Sequence, residues 1–186
     1  EPHVPVADPI DDNYRVFYQI FVGSFSDSNG DGTGDIRGII NRFDYLNDGD
    51  IADSDSLGVQ GIWLTPIYLS NTYHKYDAIN YYTIDPKFGT MEDLEELIAL
   101  CHERNVKLIL DLPINHTALS NSWFQQFAQA HKIGDVENQY YDYYVYGTIN
   151  DFVGKKYNSI PGCTGEYYEC NFDSGMPELN FDNPEV

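Results

Sequence analysis

The 186-residue chain carries thirty acidic against ten basic side chains, a formal net charge of −20, and 42% of its residues are hydrophobic. That balance excludes a nucleic acid or an anionic membrane surface as partner, because phosphate binding needs the opposite sign. No apolar run approaches the roughly 18 residues needed to cross a bilayer, so no membrane-spanning segment is expected.

Residues 1–13, rich in Pro and Asp, read as a disordered or extended lead-in. Residues 16–22 (VFYQIFV) form the first expected strand. A polar loop follows, in which Asp27, Asn29, Asp31 and Asp35 place oxygen side chains at nearly every second residue. Interspersed glycines allow a tight wrap, and Thr33 can offer its carbonyl. Such a set suits a hard cation, Ca²⁺ better than Mg²⁺. It matches the opening of an EF-hand loop, but Gly38 stands where that loop carries its glutamate, and a strand precedes it. An EF-hand proper is therefore not expected.

Residues 35–46 read as a helix, with Ile36, Ile39, Ile40 and Phe43 on one face. After an acidic loop at 47–56, residues 58–64 (GVQGIWL) form the second strand. A long polar and aromatic loop then runs to Gly89, carrying Tyr76 and Asp77. Thr90 caps the next helix with Asp93 in the box position, Leu94, Leu97, Ile98 and Cys101 form its inner stripe, and Asn105 suits a left-handed stop. Residues 106–112 form the third strand. This strand–helix alternation argues for parallel pairing.

Residues 107–116 (KLILDLPINH) hold the strongest signal. A continuous apolar run reads as a strand buried on both faces, and it ends in Asp111, Asn115 and His116. In α/β barrels the chemistry sits at such C-terminal strand ends. His116 lacks a neighbouring nucleophile or a second histidine at ligand spacing; it fits best as a hydrogen-bond donor to a substrate hydroxyl. Beyond it the rhythm breaks. Residues 117–186 carry a helix around 123–130 and a β-prone stretch at 140–146, and no fourth strand of the main sheet. They read as an irregular subdomain inserted after the third strand, with 14–116 as the preceding parallel-sheet portion. Two-sided strands with only two covering helices imply the N-terminal part of a larger domain. Cys163 and Cys170 could close a short disulfide loop or remain free thiols.

Taken together, these residues resemble the α-amylase family of glycoside hydrolases. The segment at 111–116 (DLPINH) resembles its third-strand motif, and 73–90 (YHKYDAINYYTIDPKFGT) its substrate loop. The segment at 27–35 resembles the calcium loop of its oligosaccharide-cleaving branch, and 176–180 (MPELN) a motif near the end of its inserted domain, with Glu178 where Asp is usual. The resemblance implies an α/β fold: the first three βα units of a (β/α)₈ TIM barrel with a subdomain inserted after strand three. It implies retaining cleavage of α-glucosidic bonds by two carboxylates about 5–5.5 Å apart. Tyr76 would form a platform under the sugar, His116 would bond its hydroxyl, and Asp111 would organise the strand end. Asp27, Asn29, Asp31, Thr33 and Asp35 would hold Ca²⁺. The family's catalytic carboxylates come from later strands, so this chain alone should be inactive and would need the remainder of the barrel. Lys75, where glycine is common, and Asn80, where Asp is usual, depart from the pattern.

The implied substrate is an α-glucan or maltooligosaccharide. Alternatives are glucosyl transfer or isomerisation on the same fold, or a non-catalytic carbohydrate-binding relative, against which Tyr76 and His116 argue. The calcium loop and the acidic surface favour a secreted or cell-surface protein.

Overall fold

The computed structural model describes residues 15–50 and 55–186. The expected lead-in at 1–13 and part of the acidic loop lie outside the described residues. Contacts divide the chain into two compact units, one built from the chain up to Ile67 with Pro86–Asp111, the other from Tyr68–Asp85 and Leu112–Val186.

In the first unit three short strands, β1 (Phe17–Ile20), β2 (Gly61–Leu64) and, further along the chain, β5 (Lys107–Leu110), pair in parallel in the order β1-β2-β5. Gln19, Trp63 and Ile109 lie in one register row. Each strand is shorter than its apolar run. Val22 belongs to a helical turn, α1 (Val22–Phe25), because the chain bends away once sheet pairing ends. Within this chain one face of the sheet is covered and the other is open. Ile62 and Leu64 are sealed, whereas Trp63 is 40% and Ile109 46% exposed. Helices supply apolar cover to only one face of this sheet among the described residues.

The helix expected over 35–46 is two pieces, α2 (Ile36–Asn41) and α3 (Phe43–Leu46), separated at Arg42. The break still buries Ile36, Ile39, Phe43 and Leu46. Asp35 caps α2 by accepting from the Gly38 N–H at 2.6 Å. A Cβ on Gly38 would lie 1.9 Å from the Ser26 carbonyl oxygen, so close backbone contact demands glycine here and leaves no room for an EF-hand glutamate. The long helix α4 (Met91–Glu103) starts at the expected capping box. Thr90 Oγ1 accepts from the Asp93 N–H, and Asp93 Oδ2 accepts from the Thr90 N–H at 2.9 Å. Leu94, Leu97 and Cys101 are buried and Ile98 half-buried. Asn105 adopts φ 52, the expected left-handed stop. Arg37 ties α2 to α4 through Asp93 and Glu96, each at 2.7 Å.

The second unit begins with a hairpin the sequence reading treats as loop: β3 (Tyr68–Leu69) antiparallel to β4 (Asn80–Ile84), with a register shift. Helix α5 (Ser122–Ile133) is capped by Asn121, whose side chain accepts from the Trp123 N–H at 2.8 Å, and ends at Gly134 with φ 70. A small antiparallel sheet, order β6-β8-β7, comprises β6 (Tyr146–Gly147), β7 (Tyr157–Ser159) and β8 (Tyr167–Glu169). The β-prone stretch at 140–146 is mostly turns, since Asn138 Oδ1 caps the Tyr140 N–H and redirects the chain. Phe124, Phe127, Tyr144, Ile160 and Tyr168 form the core of this unit. Tyr144 pairs with Leu179 and His116 with Glu178, which lays the 176–180 segment beside 115–117.

All three cysteines are free thiols. Cys170 donates its N–H to Lys156, whereas Cys163 sits past the pairing of Ile160 with Glu166.

Candidate functional site

Tyr76 and His116, forty residues apart, meet in the second unit. Proline 113 and the turn after it deliver His116 to a position only 3% exposed. The Tyr81 hydroxyl holds that turn, donating to the Pro113 carbonyl at 2.6 Å and also bonding the His116 carbonyl. His116 Nε2 lies 3.0 Å from the Tyr76 carbonyl oxygen, and Nδ1 lies 2.8 Å from Asn115 Nδ2. A carbonyl only accepts, so Nε2 carries the proton and, in the neutral ring, Nδ1 accepts from the amide. Phe172 covers the imidazole at a centroid distance of 5.3 Å. His116 is thus a strap on the Tyr76 backbone as well as a candidate donor.

Tyr76 is held from the other side too, its N–H donating to His74 Nδ1 at 3.0 Å. Lys75 before it has φ 64. That left-handed conformation costs an ordinary side chain roughly 1 kcal/mol or more, which explains why glycine suits the position. Here the lysine is retained by burial and pairing: Nζ reaches Asp85 Oδ2 at 2.6 Å and the Ser70 carbonyl at 3.2 Å. Both side chains are nearly sealed from solvent. Asp77 accepts from the Ser70 hydroxyl at 2.6 Å and from the Thr72 hydroxyl. A cavity of about 330 Å³ lies against Thr72, His74, Asp77, Asp173 and Met176.

Sequence reasoning names Tyr76 and His116 but misses the Lys75–Asp85 pair, the Tyr81 brace and Phe172. The glycine-replacing lysine is the one signal that points toward them. Asp111 belongs to the first unit. It closes the strand end, its N–H donating to the Leu64 carbonyl at 3.0 Å, and is half-buried rather than sealed.

The loop at 27–35 is also in the first unit. Asp27 accepts N–H bonds from Gly30 at 2.7 Å and Gly32 at 2.8 Å, and these bonds, Gly32 first, hold its carboxyl below the ordinary value. Asn29 accepts from the Asp31 N–H and Asp31 from the Thr33 N–H. Asp35, 3% exposed, spends one oxygen on the α2 cap and the other on the Ser28 N–H and hydroxyl. Among the described residues, no three acidic, His or Cys side chains already converge as a metal-holding group. The donor chemistry nevertheless fits a hard cation, since Asp27 Oδ2, Asn29 Oδ1, Asp31 Oδ1 and Asp35 Oδ1 each accept one bond and keep a further lone pair.

Residues 19–186 match the family profile described as alpha amylase, catalytic domain. Alpha-amylase 3 of Dictyoglomus thermophilum is 42% identical over 153 residues, covering 81% of this chain and 27% of that protein. Oligo-1,6-glucosidase of Bacillus cereus is 40% identical over 163 residues, covering 81% and 26%. The crystal structure of the alpha-amylase from H. orenii superimposes with TM-score 0.81 and 44% identity over 92% of this chain and 35% of that one. Other relatives bear the names trehalose synthase/amylase and 4-alpha-glucanotransferase. The chain spans about a quarter of the length of the two curated relatives just described. With such neighbours the parallel sheet is part of a TIM barrel. The chain belongs to the α-amylase family of glycoside hydrolases, within the region that family uses as its catalytic domain.

Proposed function

We propose that this chain supplies part of the sugar-binding cleft of a retaining enzyme that hydrolyses α-glucosidic bonds in α-glucans or maltooligosaccharides. The observation that carries the reading is the 3.0 Å contact between His116 Nε2 and the Tyr76 carbonyl, which joins two family motifs in one place. In this reading the Tyr76 ring lies under the sugar, and the Nε2–H of His116 is taken or shared by a sugar hydroxyl. Asp111 organises the end of the third strand, and the sheet represents the first three βα units of the barrel. The exposed Trp63–Ile109 row supports that assignment, because barrel interiors are filled by side chains from the other strands.

The two reacting carboxylates are not among these motifs, so catalysis belongs to a chain of the relatives' length and the 186 residues alone release no sugar. In such a chain, His116→Ala lowers kcat/KM on maltoheptaose by about 10²-fold, the scale of a misplaced substrate. An unchanged kcat/KM would remove His116 from the cleft. Ca²⁺ is held by Asp27, Asn29, Asp31, the Thr33 carbonyl and Asp35, and when bound it balances the charge of the loop before α2. The calcium loop and the acidic surface support a secreted or cell-surface location.

A second reading, glucosyl transfer or isomerisation, is favoured by the trehalose synthase/amylase relative from Mycobacterium tuberculosis, 36% identical across 97% of this chain. Product analysis from maltose separates them: glucose alone supports hydrolysis, glucose together with a longer oligosaccharide supports transfer, and a non-reducing disaccharide supports isomerisation.

A further inference from the structure

A groove of about 350 Å³ runs between the β3–β4 hairpin and the start of α5 in the second unit. We infer that this groove, framed by Tyr82, Asn80, Ser122 and Trp123, binds a neutral oligosaccharide. Not one of its lining residues is ionisable at neutral pH, in a protein with 22% charged residues and net charge −20. A charged ligand would find no partner there, and a purely apolar one would strand its amide and hydroxyl groups.

Tyr82 is 78% exposed, unusual for so large a ring. Asn80 is oriented by its own hairpin: Oδ1 accepts the Tyr82 N–H at 2.8 Å. That bond uses the acceptor, and among the described residues Asn80 Nδ2 has no protein partner. The half-buried indole N–H of Trp123 likewise has none, while its ring is set edge-on against Tyr143 at 6.1 Å. Two fixed N–H donors beside an exposed aromatic face match a sugar ring, which offers hydroxyl oxygens at its rim and C–H groups on its face. Tyr81, which also lines the groove, bonds the carbonyls of Pro113 and His116, so the groove wall is anchored.

The choice of an α-glucan as first probe rests on the proposed function; the site itself rests on its lining. The test titrates the full chain with maltoheptaose and, separately, cellohexaose, following the indole N–H resonance of Trp123, identified by its loss in Trp123→Phe. A saturable shift with either sugar at up to roughly 10 mM supports the site. Tyr82→Ala and Asn80→Asp should each weaken binding about tenfold or more, with circular dichroism unchanged. No Trp123 shift with either sugar, or undiminished affinity in Tyr82→Ala, overturns the inference. A shift with cellohexaose but not maltoheptaose keeps the groove and counts against the α-glucan reading.

Discussion

Lys75 sits in the left-handed region with its ammonium buried against Asp85, and two penalties are offset by one contact. Removing the cation leaves a carboxylate in a site of low polarity, which typically costs 3–5 kcal/mol. Lys75→Met should therefore destabilise the second unit by about that much, and Lys75→Met with Asp85→Asn should recover a large part of it. A urea double-mutant cycle reads the coupling. Additive single effects would show that the pair is incidental. The sequence marks Lys75 as a replacement for glycine, but neither its φ nor its partner ten residues on is visible there. Backbone conformation and burial are set by the hairpin that brings 75 and 85 together. His116 is similar: its residue type announces polar work, while only the fold shows both ring nitrogens engaged by Asn115 and Tyr76.

Among elements, α4 is the most fully legible because its signals are local. Capping box, apolar stripe and left-handed stop all lie within sixteen residues. The box also predicts an acid response. The Thr90 N–H, and then the Arg37 guanidinium, hold the Asp93 carboxyl below its ordinary value. A lowered folded-state value means the stabilisation is complete above the unfolded value near 4 and is lost as pH falls through the folded one. Unfolding free energy should therefore decline below about pH 4, and Asp93→Asn should flatten that decline while costing about 1 kcal/mol near pH 7. Urea midpoints across pH 2.5–7 give the check; a variant as acid-sensitive as the parent would exclude Asp93. The β3–β4 hairpin and the break at Arg42 were not legible. Two-residue pairing is too short for a period-2 pattern to register, and an apolar face survives a one-residue interruption.

At the scale of the molecule, the proposed calcium site carries the prediction. If residues 27–35 hold the ion, saturating Ca²⁺ at 100-fold over Kd adds about 2.7 kcal/mol. For a chain of this length that raises Tm by about 5–10 °C relative to excess chelator. Asp27→Ala should abolish the rise; equal Tm values with calcium and chelator would remove the site. The order of strands and helices, and the parallel pairing of the sheet, were set by apolar runs alternating with amphipathic ones, and those are properties of neighbouring residues; the barrel class came from the family motifs. Position along the chain did not reveal that 68–85 joins 112–186 as one unit, since that grouping depends on contacts between distant segments. The sequence by itself determined the residue types at the candidate site and the strand-and-helix rhythm that delivers them. Tertiary structure alone decided that His116 binds the Tyr76 backbone and that Lys75 neutralises Asp85. Pairing and burial are non-local, and a periodic pattern cannot specify which distant group meets which.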